Sequence, residues 1–296
     1  MQHTNIVGSG TRVVIAKVPI YLSAIRIWEA LFALPFGYIG MVLAADGWPG
    51  WNPFLWITIA FLGVRTLGMF ANRLIHAQED AANPRTANRH LPAGLLKPWE
   101  VVTMMVLSTG VFFFAASQLN TLALALAPVA AAYVVLYSYT KYYTWACNLA
   151  LGWALAMAPA AAWIGVTGRL DPQAVLLAFA VATWAGGFDI IYSCTDFDFD
   201  RRRGIHSIPA RFGIAGALRI TRGLHLLTAA SLLALGLWLG LGFFYYIGWA
   251  VAVALLIYQN SLVKPDDLSK VNLAFFRFNS SVSLQLLGFT ILALIV

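Results

Sequence analysis

Two polar stretches interrupt an otherwise apolar chain. The first is "NRLIHAQEDAANPRTANRHLPAG", residues 72–94, and the second is "DIIYSCTDFDFDRRRG", residues 189–204. In the first, Asn72, His76 and Asp80 recur every four residues; in the second, Asp189, Tyr192, Asp196 and Asp200 recur every three or four. On a helix that spacing gathers side chains on one face. Magnesium takes oxygen ligands, typically a few carboxylates with waters and phosphate oxygens. Arginines flank both stretches, and arginines clamp phosphates through paired N–H donors. Together these groups suit a magnesium–diphosphate. Set where greasy helices end, they point to a lipid diphosphate whose tail lies in the bilayer. The plainer reading of residues 196–203 is an exposed run of neutralising Asp/Arg pairs, which contributes little; Asp198, off the 196/200 face, fits it.

The elements that must position these residues are membrane helices. The chain has 296 residues, 60% hydrophobic and only 10% charged, where a soluble domain carries about a quarter charged residues. A core cannot absorb that much apolar surface, so lipid must be much of the solvent. Nine stretches are long enough to cross a bilayer: about 22–45, 52–75, 98–117, 121–140, 145–167, 173–194, 214–238, 241–262 and 275–296. The expectation is an all-α bundle of nine transmembrane helices with cap loops, forming one domain over residues 1–296.

The formal net charge is +7. Basic residues gather in alternate loops: Arg12 and Lys17 before the first span, Arg73 to Lys97 after the second, Lys141 after the fourth, Arg201 to Arg222 around the end of the sixth, and Lys264 to Arg277 before the last. The opposite loops hold only Arg169. Lys and Arg mark the cytoplasmic side, which places the N-terminus and the polar clusters in the cytoplasm and the C-terminus outside. The same distribution argues against nucleic acid as a partner. Cys147 and Cys194 stand far apart, with no CxxC, so neither a disulfide framework nor a cysteine metal site is implied. The polar N-terminus lacks a clean signal-peptide core and is read as retained.

Three charges fall within apolar spans. Asp189, Arg26 and Arg65 are costly there unless paired or functional; the alternative for the arginines is snorkelling to an interface. Otherwise they form a positive pocket suited to an anionic headgroup or an aromatic carboxylate. Lys141, in "LYSYTKYYTWACN", is either an interfacial anchor or a diphosphate ligand, with Tyr137 one turn earlier on the same face.

These motifs resemble the UbiA superfamily of intramembrane aromatic prenyltransferases. That family has nine transmembrane helices and two Asp-rich motifs, matched here by Asn72-Arg73-x-x-His76-x-x-x-Asp80 and Tyr192-x-x-x-Asp196-x-x-x-Asp200. The segments "RIWEALFALPFGYIG", "NPRTANRHLPAG", "YSYTK", "RRRGIHSIPARFG" and "NLAFFRFN" carry the likeness along the whole chain. Within the superfamily it is similar to 4-hydroxybenzoate polyprenyltransferases and to the futalosine-route menaquinone enzymes. The resemblance implies Mg-dependent transfer of a polyprenyl group from its diphosphate to a small aromatic acid at the inner membrane, with no obligate protein partner. It implies Asp80, Asp196, Asp200 and Lys141 as catalytic groups. Metal would sit on the three aspartates and His76. Diphosphate would meet Asn72, Arg85, Arg89, Lys141 and Arg202, and the acceptor would meet Arg65, Tyr137, Arg26, Asp189 and Tyr192. Two positions depart from the pattern. His76 replaces a motif aspartate, and imidazole suits softer metals than magnesium, which brings Mn²⁺ into consideration. Tyr142 replaces an arginine that often follows the lysine. Rival readings are a haem- or chlorophyll-type prenyltransferase and a membrane transporter; the latter would place its charges near mid-membrane, whereas these cluster at one face.

Overall fold

The computed structural model describes residues 17–296; Arg12 and the polar N-terminal stretch lie outside them. Among the described residues nine helices are long and apolar enough to cross a membrane: α1 (Ile27–Ala45), α2 (Trp51–Ile75), α3 (Pro98–Ser117), α4 (Thr121–Tyr142), α5 (Cys147–Thr167), α6 (Pro172–Arg203), α7 (Ile208–Leu239), α8 (Phe243–Leu262) and α9 (Val271–Ile295). No strand is assigned among them. A bilayer leaves no other way to satisfy so many backbone groups within one segment.

Large apolar residues face outward, including Leu226 (71% exposed), Val106 and Ile257 (both 66%), as lipid permits and water does not. The innermost helix is α6. Trp184 and Phe188 on it pack with Phe36 of α1, Tyr245 of α8 and Leu235 of α7. Around them α5 presses closely on both neighbours. A Cβ added to Gly152 would stand 2.3 Å from the Ala182 carbonyl oxygen of α6, and one added to Gly40 of α1 would stand 2.4 Å from that of Pro159. Only hydrogen fits at these two crossings.

The helix ends differ from expectation in ways that shape the polar end of the bundle. The first span was expected from residue 22, but Arg26 adopts φ 48°, breaking residues 17–24 from α1; a bulky residue in the left-handed region is strained. The sixth span, expected to stop at 194, continues through a 3₁₀ turn, Cys194–Asp196, into the helix Phe197–Arg203. Gly204 (φ 69°) ends it, as glycine readily does. Helix α7, expected from 214, starts at Ile208. Ser207 caps it, its Oγ accepting from the Ala210 amide, and Gly213 (φ 70°) kinks it just before the expected start. After α2 the chain forms a short helix, Ala77–Ala82, and then a run of turns back to α3. A π-helical turn, Ala274–Phe278, widens the start of α9 and brings Phe275 against Tyr192, ring centroids 4.4 Å apart.

Candidate active site

The loop after α2 and the extended end of α6 meet over the polar end of the bundle. Arg85 makes the join: its Nε donates to Asp196 Oδ1 (2.9 Å), one terminal nitrogen to Asp196 Oδ2 (2.5 Å) and the other to the Tyr192 hydroxyl (2.8 Å). Asn83 Nδ2 adds a fourth bond, 2.9 Å to Asp196 Oδ1. Arg89 pairs with the buried Asp80 at 2.7 Å. Asp200, also buried, accepts from the Ser207 hydroxyl at 3.0 Å. Lys141 has no ion pair within reach, yet Asp80, Glu79 and Asp200 are the acidic groups that act on it. Thus each motif carboxylate stands beside a cation or a hydroxyl.

Below this layer lies a cavity of about 240 Å³ between α1, α2, α4, α5 and α6. Its walls are apolar apart from Glu29, Arg65, Tyr137 and Asp189, all toward the polar end. A cavity of about 150 Å³ holds a benzene ring, so this one takes a substituted ring or a short run of a hydrocarbon tail. Leu126, part of the lining, is itself 38% exposed, so the wall at α4 reaches the outer surface and a longer tail has a way out. Arg65 extends a terminal nitrogen to the Arg26 carbonyl at 3.0 Å, which the left-handed turn at Arg26 makes available, while its Nε has no partner. Arg26 pairs with Glu29 at 2.5 Å.

Do these residues fit a divalent metal? Asp80 Oδ2 and Glu79 Oε2 are buried without a hydrogen-bond partner, an expensive condition for carboxylate oxygens unless something positive completes them. Hard oxygen donors suit Mg²⁺. Among the described residues no three His, Cys, Asp or Glu side chains form a ready-made metal group; Asp196, Asp80 and Asp200 are instead engaged by Arg85, Arg89 and Ser207.

Residues 33–281 match the UbiA prenyltransferase family. The chain belongs to that family. It is similar to 4-hydroxybenzoate octaprenyltransferases from Aliivibrio fischeri (29% identical over 262 residues, 87% of each chain) and Vibrio cholerae (31% over 242 residues, 82% of each). Among solved structures it is similar to the apo UbiA homolog from Aeropyrum pernix K1, with TM-score 0.81 and 29% identity over 89% of this chain and 97% of that one. A UbiA homolog from Archaeoglobus fulgidus bound to DMAPP and Mg²⁺ shares the fold at TM-score 0.71 and 17% identity, over 93% of this chain and 98% of that one. As a UbiA protein this chain is a prenyltransferase of a membrane enzyme family.

The polar layer and the cavity below it gather most residues singled out in the sequence; Arg202 stands outside them, and His76 is committed to protein partners. Arg202 lies on the exposed outer side of the helix Phe197–Arg203 and makes no ion pair; Asp200 takes the inward face of that turn. His76 is inside, but its Nε2–H donates 2.7 Å to the Ser138 carbonyl and its ring stands edge-on to Tyr142. Burial, and next the charge of Lys141, push its pKa down to about 4. The ring is therefore neutral, and only Nδ1 keeps a lone pair for a ligand. Asn72 bonds the Ser138 hydroxyl at 3.3 Å and steadies the same turn.

Charge patterns did not disclose Asn83, Ser207 and Asn148, because all three are neutral. Asn148 has the largest structural part. Its Nδ2 donates to Asp189 Oδ2 (2.8 Å) and Ser193 Oγ (2.7 Å), and its Oδ1 accepts from the Ile208 amide (3.1 Å). One side chain thereby ties α5, α6 and the start of α7 together.

Proposed function

We propose that this UbiA protein transfers a polyprenyl group from a polyprenyl diphosphate to a ring carbon of a small aromatic hydroxy acid, 4-hydroxybenzoate or a dihydroxynaphthoate, releasing diphosphate. The supporting observation is the stacking of two layers: carboxylates interleaved with arginines above, and an apolar cavity with Arg65, Tyr137 and Asp189 at its upper rim below. The names of the relatives at about 30% identity favour 4-hydroxybenzoate. The chain is read as one domain in the inner membrane, with the site and the N-terminus on the cytoplasmic side.

Asp80, Asp196 and Asp200 are the residues that would hold Mg²⁺, with Glu79 Oε2 as a further oxygen; Mn²⁺ is the second candidate. When bound there, the ion would supply positive charge to offset the negative charge developing on the departing diphosphate. Arg85, Arg89 and Lys141 supply donors to the same phosphate oxygens, the two arginines exchanging their present carboxylate partners for phosphate. The tail occupies the apolar cavity and leaves past Leu126. Arg65, with its unpartnered Nε, binds the acceptor carboxylate, and the Tyr137 hydroxyl orients the ring. The allylic C–O bond breaks, a C–C bond forms beside the phenol oxygen, and the ring proton passes to diphosphate or to Asp189. The loop 83–97, held down through Arg85 and Asn83, excludes water that would otherwise capture the allylic cation.

The test is product formation by mass spectrometry, with an allylic polyprenyl diphosphate, Mg²⁺ or Mn²⁺, and 4-hydroxybenzoate or 1,4-dihydroxy-6-naphthoate. Prenylated acceptor that disappears in Asp196→Ala supports the proposal and names the acceptor. Folded protein that yields no product with either metal and either acceptor overturns it.

A further inference from the structure

On the far side of the bundle from the cavity, α7 and α8 enclose a second depression, lined by Arg222, His225, Leu226, Ala229, Ile257 and Asn260 among others. Polar and apolar lining are segregated along it. At the end nearer the Asp-rich layer stand Arg222, Asn260 and Ser261; towards mid-membrane the walls are Leu226, Ala229, Val253 and Ile257. Leu226 and Ile257 are 71% and 66% exposed, so the depression is an open groove on the outer, lipid-facing surface.

Arg222 is the odd residue. It lies nine residues beyond the Gly213 kink, about 13 Å along the helix, inside a span, and no acidic side chain among the described residues pairs with it. Arg219, one turn earlier on α7, and Lys264, just past the end of α8, also have no side-chain ion pair among the described residues. An arginine in a lipid-facing span is costly unless paired, so the charge of this groove is complementary to an anion. The neighbouring groups say what else that anion carries. Asn260 Nδ2 is committed, 2.8 Å to the Leu256 carbonyl and 2.7 Å to His225 Nδ1, which leaves Asn260 Oδ1 as an acceptor. Ser261 donates its hydroxyl proton to the Tyr258 carbonyl at 2.7 Å, so its oxygen also accepts. A phosphate donor site flanked by two acceptors fits a phosphodiester bearing hydroxyls, above a trough for an acyl chain.

We propose that the α7–α8 groove binds one anionic glycerophospholipid of the surrounding bilayer with a hydroxylated headgroup, of the phosphatidylglycerol type. The phosphate meets Arg222, the headgroup hydroxyls meet Asn260 and Ser261, and one acyl chain lies along Leu226, Ala229, Val253 and Ile257. Basic pockets between helices near a membrane face are suited to such headgroups. The site is separate from the prenyl-transfer cavity, and the inference stands whatever the acceptor proves to be.

The experiment reconstitutes the full chain in nanodiscs containing either phosphatidylglycerol or phosphatidylcholine with identical acyl chains, and counts retained lipids by native mass spectrometry. The expected result is one phosphatidylglycerol retained at least five-fold more than phosphatidylcholine. Arg222→Gln should lower that retention about five-fold, the factor corresponding to about 1 kcal/mol for one basic residue near lipid headgroups. Ala229→Trp, which fills the trough and leaves Arg222 in place, should lower retention of both lipids. Arg169→Gln, at the opposite end of the bundle, should change nothing. Equal retention of the two lipids, or phosphatidylglycerol retention unaltered in both Arg222→Gln and Ala229→Trp, overturns the proposal; phosphatidic acid retained as well as phosphatidylglycerol overturns the role of Asn260 and Ser261.

Discussion

Replacing Asn148 with alanine tests whether a neutral residue holds the acceptor side of the site together. Asn148 is 1% exposed and makes three hydrogen bonds to two other helices. The alanine variant strands the Ile208 amide in a place where Ile208 is 0% exposed, at about 1–3 kcal/mol for an unsatisfied buried donor. Asp189 borders the cavity and the Ser193 hydroxyl can rotate to another acceptor, so each of these losses is discounted to about 0.5–1 kcal/mol. The total is about 2–5 kcal/mol, or roughly 3–8 °C in a thermal melt of a chain this size. Asn148→Asp separates stability from chemistry. It keeps the acceptor for the Ile208 amide but sets a second carboxyl against Asp189, and two carboxyls at that distance share a proton. Its melting point should fall less than that of Asn148→Ala, while its product formation should fall at least as far and become pH-dependent. Thermal unfolding in detergent and prenyl transfer under saturating donor give both readings. An Asn148→Ala variant that melts within a degree of wild type and retains full activity would refute the reasoning.

Gly152→Ala drives a methyl group to 2.3 Å from the Ala182 carbonyl oxygen, and should lower the yield of folded protein on size exclusion, whereas Gly110→Ala, which meets nothing within 4 Å, should be tolerated. Arg85→Ala should change the melting point of metal-free protein little, since the Arg85–Asp196 pair is 33% and 18% exposed and contributes about 1 kcal/mol at most; calorimetric binding of Mg-diphosphate should weaken about ten-fold. His76→Asp should lower the Mg²⁺ concentration for half-maximal rate, and an unchanged or poorer titration counts against a ligand at that position. His76 itself has its pKa lowered from 6.5 to about 4 by burial, so the unfolded chain takes up this proton first. The stability of metal-free protein should therefore be highest above pH 6.5 and decline as pH falls from 6.5 towards 4, and His76→Gln should flatten that decline.

All nine spans were legible because lipid imposes one rule, about twenty apolar residues, on every crossing. What the rule does not encode is where a helix stops once it leaves the hydrocarbon. Helix α6 runs on to Arg203 because Asp196 and Asp200 find partners in Arg85, Asn83 and Ser207, contacts from segments more than a hundred residues away or beyond the following turn. The acidic clusters stood out by charge and spacing, and so did Arg65 and Asp189 as misfits among apolar neighbours. Arg202 stood out with Arg201 and Arg203 as a charge run, but all three are exposed and Asp200 takes the inward position, which depends on the twist introduced by the Cys194–Asp196 turn. His76 was visible as a departure, but its tautomer is set by the Ser138 carbonyl, a backbone group with no signature. Asn148 and Ser207 act through hydrogen bonds to atoms brought near only by folding.

The glycine crossings of α5 constrain how this enzyme can diversify. At Gly40 and Gly152 backbone lies on backbone, so α1, α5 and α6 form a keel in which no side chain can grow. The seam between α4 and α5 is far sparser, and α4 contributes Ala123, Leu126, Ala127, Ala130 and Val134 to the cavity wall. A lineage that adapts to a shorter or longer donor has room to write the change on that wall, exchanging small residues for large along α4 as stops on a ruler. The keel, and the catalytic layer it carries, would be inherited unaltered.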